Sequence, residues 1–257
     1  SPGYPDIHRP ADPALHGAVG NAPPAYSADE TATAFLAGEF LRWLGEQPRG
    51  DAWFAHVSFI SPHPPFIVPA PYNTMYDPTD GPAFARAADR RAERAIHPYV
   101  GLELDRQKVS KFLPGVTGKV RKLSDREFRQ IRATYWGMVS EVDAQLGRIW
   151  AGLREHGDWD DTIVVLTSDH ADGRAPKAWR EAAHWEFDFR TLGDNGAGGE
   201  FGLGPRDSNL AVIRTETAKY VHFTGLPPVL FDLAEDPHET RNVAADPAYA
   251  ALRLEMA

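Results

Sequence analysis

Residues 124–157 constrain this chain more than any other stretch. Phe128, Ile131, Tyr135, Met138, Val142, Leu146, Ile149 and Leu153 recur at steps of three and four residues. That period puts them on one stripe of an α-helix about eight turns long. Ser124-Asp125-Arg126-Glu127 supplies a capping box at its start, and Gly157 suits the position that closes a helix. After the turn Trp159-Asp160-Asp161, residues 162–167 read Thr-Ile-Val-Val-Leu-Thr, a β-branched run of the kind buried inside parallel sheets. Residues 53–60 are a second short apolar run, rich in aromatics, and read as another buried strand. Strand, helix and strand in this order predict an α/β sheet.

The rest of the chain is arranged around that unit. Residues 1–26 have no clear period and read as an irregular arm. Ser27-Ala28-Asp29-Glu30 is a further capping box. The helix it starts would bury Phe35, Leu36, Phe40, Trp43 and Leu44 and stop at Pro48-Arg49-Gly50. Three prolines in Ser61-Pro62-His63-Pro64-Pro65 exclude regular structure there. Residues 83–95 read as a helix. Residues 209–214 and 218–223 read as two strands of a hairpin joined by Thr215-Glu216-Thr217. Phe231-Asp232-Leu233 and the Asp236-Pro237 turn follow, and Asp246 starts a last helix.

Composition narrows the function classes. With 42% hydrophobic and 25% charged residues, the chain is neither disordered nor fibrous. It contains no cysteine, which excludes disulfides, thiolate metal sites and a cysteine nucleophile. No apolar run reaches the roughly 18 residues of a membrane helix. A net charge of −9 argues against a nucleic-acid partner. Residues 1–13 show no signal peptide, so a cytoplasmic location is favoured. Charge is uneven, however: residues 81–123 hold ten Lys or Arg against four acids. Such a window either faces solvent or attracts an anion.

Asp169-His170 is the sharpest candidate for chemistry. It sits just past the predicted strand 162–167, at the end where α/β sheets place their sites. A carboxylate and an imidazole together suit a divalent metal, and at least one more ligand must come from elsewhere. The alternative is a capping Asp and a loop His. Ser168 does not complete a catalytic triad with them, because neighbours on a strand point to opposite faces. His63, held between prolines at a strand end, could donate a proton or contact an anion, or be a surface histidine. The glycine-rich stretch 193–204 and residues 115–119 lack the register of phosphate loops. His184, Glu186 and Asp188 alternate as on a strand, which favours a packing or subunit contact over a metal site.

Several of these segments together resemble one family. Ser61-Pro62-His63-Pro64-Pro65-Phe66 with Ala70-Pro71-Tyr72 is similar to the sulfatase and phosphonate monoester hydrolase group of the alkaline phosphatase superfamily. So are Arg132-Ala133-Thr134-Tyr135-Trp136-Gly137-Met138, with Glu141-Val142-Asp143 and Leu146-Gly147, and Trp159-Asp160-Asp161-Thr162 leading to Thr167-Ser168-Asp169-His170. Near the end, Phe231-Asp232-Leu233 with Asp236-Pro237-His238-Glu239 and Asn242 looks like the group's C-terminal signature. Residues 184–190 and 219–223 are closest to its phosphonate monoester hydrolase branch.

The resemblance implies an alkaline-phosphatase-like α/β sandwich with a mostly parallel sheet and a small C-terminal antiparallel lobe. It implies hydrolysis of phosphonate, phosphate or sulfate esters, monoesters or diesters, with one divalent metal ion, whether Mn, Ca, Mg or Zn. Asp169 and His170 match the metal-binding pair. His63 matches the histidine that contacts the substrate and protonates the leaving oxygen. The family nucleophile lies in Cys/Ser-x-Pro-x-Arg, and nothing here matches it. Asp169-His170-Ala171 also runs almost directly into Asp172-Gly173-Arg174, which resembles sequence from well beyond the family's next stretch. The chain is therefore expected to be an incomplete family member. Its expected divisions are the arm 1–26, a partial catalytic domain 27–171 with a basic insertion at 81–123, and a C-terminal lobe 172–257. The expected partner is a small anionic ester, with no nucleic acid and no membrane; a homo-oligomer is compatible with the sequence. The other reading is a catalytically inactive remnant or binding module on the same scaffold.

Overall fold

The computed structural model describes residues 8–167, 182–189 and 197–257. The helices among them are α1 (Ala32–Gly45), α2 (Arg90–Ile96), α3 (Pro98–Arg106), α4 (Asp125–His156), α5 (Ala197–Glu200) and α6 (Ala250–Met256). The strands are β1 (Ala182–Asp188), β2 (Asn209–Thr215), β3 (Ala218–Phe223) and β4 (Val229–Asp232). The chain divides into two compact units, residues 1–82 with 107–168 and residues 83–106 with 169–257.

The first unit is built on α4, which runs where the apolar spacing places it. The Ser124 backbone N–H donates to Glu127 Oε2 at 2.7 Å, and Glu127 N–H donates back to Ser124 Oγ at 3.3 Å. At the other end Gly157 takes φ 91° and donates to the Leu153 and Arg154 carbonyls. The α1 cap differs from expectation. Ser27 and Glu30 bond each other around a short 3-10 turn, Ala28–Glu30. The α-helix proper begins one step later, with Thr31 Oγ1 accepting from Ala34 N–H at 3.0 Å. Ala37 and Leu44 of α1 pack on Ile149 and Leu153 of α4, with Phe40, Trp43, Trp53, Val57 and Phe59 half-buried around them. Phe35 points outward instead, because Ala34 and Ala37 take the buried line of α1.

Residues 53–60 and 162–167 are not buried strands among the described residues; neither is paired in a sheet. Trp53, Val57 and Phe59 turn toward the α1–α4 core, while Phe54 is 88% exposed. Residues 162–167 are barer still, with Ile163 91% exposed. A central parallel strand is buried by neighbours on both edges and helices on both faces. No described strand lies beside these two runs.

The second unit is a sheet in the order β1-β2-β3-β4, antiparallel throughout. The hairpin between β2 and β3 turns at Glu216-Thr217, where Thr215 Oγ1 accepts from Ala218 N–H at 3.0 Å. Phe189, Val212, Phe223 and Phe231 bury one face against Ile96, Tyr99 and Leu102 of the α2–α3 segment. Tyr220 and Leu230 bury the other with Val243, Ala244 and Met256. The first half of the basic window is thus part of this unit, with Arg94 paired to Asp105.

The C-terminal signature residues turn out to shape turns. Asp232 accepts from Ala234 N–H at 3.1 Å and Asp236 from Arg241 N–H at 2.8 Å. Asn242 Oδ1 accepts from the Leu230 and Ala244 N–H groups, and its Nδ2 donates to the Ile96 carbonyl at 2.9 Å.

Candidate active site

His63 occupies the proline-rich loop after residues 53–60, and its side chain is exposed. Its backbone N–H donates to the Ile60 carbonyl at 2.9 Å. Its Nδ1 lies 2.7 Å from the Pro64 carbonyl oxygen. A carbonyl only accepts, so Nδ1 carries the proton of that bond and Nε2 is left for another partner. This is the orientation a proton-transferring or anion-contacting imidazole needs.

The segment that follows is strapped along α4. Phe66 N–H donates to the Phe112 carbonyl at 2.8 Å, and the two rings stack at 6.2 Å. A Cβ at Gly137 would overlap the Tyr72 carbonyl oxygen, so only glycine lets the loop approach the helix this closely. Tyr76 and Ser140 share a hydrogen bond of 2.7 Å. Arg132 donates to the Asp80 and Pro82 carbonyls at 2.9 and 2.7 Å and lies over the Trp136 ring. Sequence reading marked Arg132, Trp136 and Gly137 as a motif without assigning them work. Their work is to fix the chain leading away from His63.

The approach to both candidate positions is tied at one point. Trp53 Nε1 donates to Asp158 Oδ2 at 2.8 Å, and His156 Nδ1 lies 3.0 Å from the same oxygen. The Trp53 bond first, then the His156 imidazole, holds the Asp158 carboxyl below its usual range. Residues 53–60 therefore depart from the same anchor as residues 162–167, whose Thr162 Oγ1 donates to the Asp158 carbonyl at 2.7 Å. Arg154 covers the adjacent Trp159 ring at 4.0 Å.

Asp169 and His170 lie outside the described residues. Among the described residues no three His, Asp or Glu side chains stand together as a metal site. The donor chemistry of Asp169 and His170, one hard oxygen and one borderline nitrogen, suits a divalent ion but leaves positions for other ligands. His184 and Glu186 lie exposed on β1, with Asp188 at its end. A cavity of about 200 Å³ lies under the arm, walled by Val19, Phe66, Val68, Leu113 and Thr134, and His63 does not line it.

Comparison with known proteins places this architecture. A family model described as Sulfatase matches residues 4–199. The multifunctional alkaline phosphatase superfamily protein PehA of Trinickia caryophylli is 34% identical over 275 residues, covering 79% of this chain and 54% of PehA. Those 275 positions exceed the part of this chain they cover, so PehA carries stretches that are absent here. Among solved structures, the phosphonate monoester hydrolase of Agrobacterium radiobacter superposes with a TM-score of 0.85 at 42% identity, over 97% of this chain and 63% of that one. The phosphonate monoester hydrolase of Silicibacter pomeroyi gives 0.81 at 30%, over 99% and 64%. The expected alkaline-phosphatase-like fold class is borne out by these neighbours. The chain spans about half the length of PehA.

Proposed function

The chain belongs to the sulfatase family, and from that premise we propose that it is part of a metal-dependent hydrolase of phosphonate monoesters and related phosphate or sulfate esters. The observation that carries this reading is the likeness to phosphonate monoester hydrolases along nearly the whole chain. His63 would meet the anionic ester through Nε2 and protonate the leaving oxygen, its ring aligned by the Pro64 carbonyl. Asp169 and His170 would hold a divalent cation, which when bound polarises the ester oxygen. The nucleophile pattern Cys/Ser-x-Pro-x-Arg is not present in these residues. On this reading the nucleophile would come from outside these residues.

A metal titration tests the reading. Mn²⁺, Zn²⁺, Ca²⁺ and Mg²⁺ are added in turn while thermal unfolding is followed. At a hundred times its Kd, a bound ion contributes about 2.7 kcal/mol, a rise of several degrees in Tm. At least one ion should give that rise in the wild type and little in Asp169→Asn or His170→Ala. Equal shifts in all three proteins would remove Asp169 and His170 from the metal site. A fusion to the nucleophile-bearing segment of a phosphonate monoester hydrolase should cleave an aryl phosphonate ester. His63→Ala in the fusion should lower kcat by about two orders of magnitude or more. Full activity of that variant would remove His63 from the chemistry.

A further inference from the structure

The arm is ordered by its own contacts. Ala11 N–H donates to the Pro23 carbonyl at 2.9 Å, and Pro10 bridges to Pro24. Residues 11–23 therefore form a compact surface loop with its ends held together, the Ω form that often carries function. Inside it Ala14 N–H donates to Asp12 Oδ1 at 2.8 Å, and His16 Nε2 donates to the Pro10 carbonyl at 2.9 Å. Two ties fix the loop to the body of the first unit. Val19 packs on Val109, Leu113 and Val116, and Asn73 Nδ2 donates to the Asn21 carbonyl at 2.8 Å.

The loop does not fill the space beneath it. Val19 and Ala22 above, and Phe66, Val68, Leu113 and Val116 below, line the cavity of about 200 Å³. Protein interiors leave few voids larger than a water molecule. An apolar cavity of only about 150 Å³ stays dry and takes up benzene. No Lys, Arg, Asp or Glu is among the described residues that line this one. His8 also lines it, and burial lowers the pKa of that imidazole, which keeps it neutral. A charged ligand would lose its hydration here and find no opposite charge.

Two polar side chains of the body stand in the wall. Thr134 Oγ1 is satisfied, since it donates to the Gln130 carbonyl at 3.1 Å and accepts from Gln130 Nε2 at 3.4 Å. Asn73 is half satisfied. Its Nδ2 holds the Asn21 carbonyl, whereas its Oδ1 is buried with no donor among the described residues. An unmatched buried acceptor rewards a ligand that brings an O–H or N–H. We propose that loop 11–23 and the body enclose a binding site for a small uncharged molecule, one ring in size, whose hydroxyl donates to the Asn73 amide. His63 does not line the cavity, so this site is separate from the hydrolysis proposed above.

Benzyl alcohol is the probe, titrated into the whole chain by calorimetry and by amide NMR. It should bind saturably with a Kd of about 1 mM or tighter and move the Val19, Asn21 and Asn73 resonances. Toluene, the same ring without the hydroxyl, should bind about fivefold more weakly. Benzoate should bind at least about tenfold more weakly, although Arg9 stands close by against Gly115. Ala22→Phe, which puts a ring of its own into the space, should weaken benzyl alcohol by about tenfold or more. Circular dichroism establishes that this variant folds, and the wild-type resonances locate the ligand in either case. No saturation at about ten times the expected Kd would overturn the proposal. So would benzoate binding as tightly as benzyl alcohol, or binding that leaves the Val19, Asn21 and Asn73 resonances unmoved.

Discussion

Two glycines on α4 separate packing from propensity. Gly137 touches the Tyr72 carbonyl, whereas a Cβ at Gly147 would meet nothing within 4 Å. Gly137→Ala is expected to push the loop behind His63 off the helix and destabilise by about 2–3 kcal/mol. Gly147→Ala should stabilise by about 0.5–1 kcal/mol, because alanine favours the helix. Chemical denaturation of the pair checks both signs, and equal effects would contradict the close approach at Gly137. Glu141 makes a second residue-scale case. It is 2% exposed, and Thr31 Oγ1 donates to it at 2.7 Å. Burial raises its pKa, against the Thr31 and Thr33 hydrogen bonds that lower it. A raised folded pKa contributes stability below the ordinary carboxylate range and loses it as pH rises through the shifted value. Glu141→Gln should therefore gain on the wild type in Tm from pH 4 to pH 8. A gap that stays constant across that range would show that Glu141 does not titrate in the fold. Sequence reading found Met138, Ile149 and Leu153 because apolar periodicity marks them. It named Glu141 only within the family-like Glu141-Val142-Asp143 and placed neither Glu141 nor Gln145 on the buried stripe, which they share as polar residues without an apolar signal.

Elements were legible where a local rule specifies them. The box at Ser124 and the β2–β3 hairpin each follow from a few adjacent residues, whereas Asp246, expected to start the last helix, caps a 3-10 turn at Pro247–Tyr249 and the helix begins at Ala250. The packing of α2 and α3 on the sheet was not legible, since it depends on contacts more than a hundred residues apart. His97, between the two helices, shows the reason. It is 3% exposed and stacks on Phe223 at 4.3 Å between ring centres. Its Nδ1 accepts from Tyr99 N–H at 3.1 Å, so Nε2 carries the proton donated to the Pro227 carbonyl at 2.8 Å. Burial lowers its pKa below 6.5, partly offset by the Pro227 bond. The fold thus holds His97 neutral, while the unfolded chain protonates it as pH falls through about 6.5. Its contribution is complete above that pH and is lost as pH falls toward the depressed folded value. Wild-type Tm should drop between pH 7 and pH 5, and His97→Phe, which keeps a ring against Phe223, should show a shallower drop. Parallel pH profiles for the two proteins would exclude His97 as a titrating brace.

At the scale of the molecule, the sequence predicted a sheet, and the two runs that would enter it stand unpaired among the described residues. The apolar pattern of residues 53–60 and 162–167 predicts burial, yet Phe54, Ile163 and Val165 stand largely exposed. What periodicity cannot report is whether the covering strands belong to the same residues. Family members related to this chain are longer, and PehA is matched over only 54% of its length. Phe54, Ile163 and Val165 should consequently behave as surface side chains in this polypeptide. Their exposure gives a measurable consequence, because bare apolar faces bind the dye ANS. The folded chain should enhance ANS fluorescence strongly. Phe54→Ser, Ile163→Ser and Val165→Ser together should cut that signal by more than half. Each should change stability by no more than about 0.5 kcal/mol, because exposed positions contribute little to the folded state. A loss of several kcal/mol would mean that these side chains are already covered, either within the chain or by a second copy. Sedimentation of the same sample separates those cases, since only the second makes the cost depend on protein concentration.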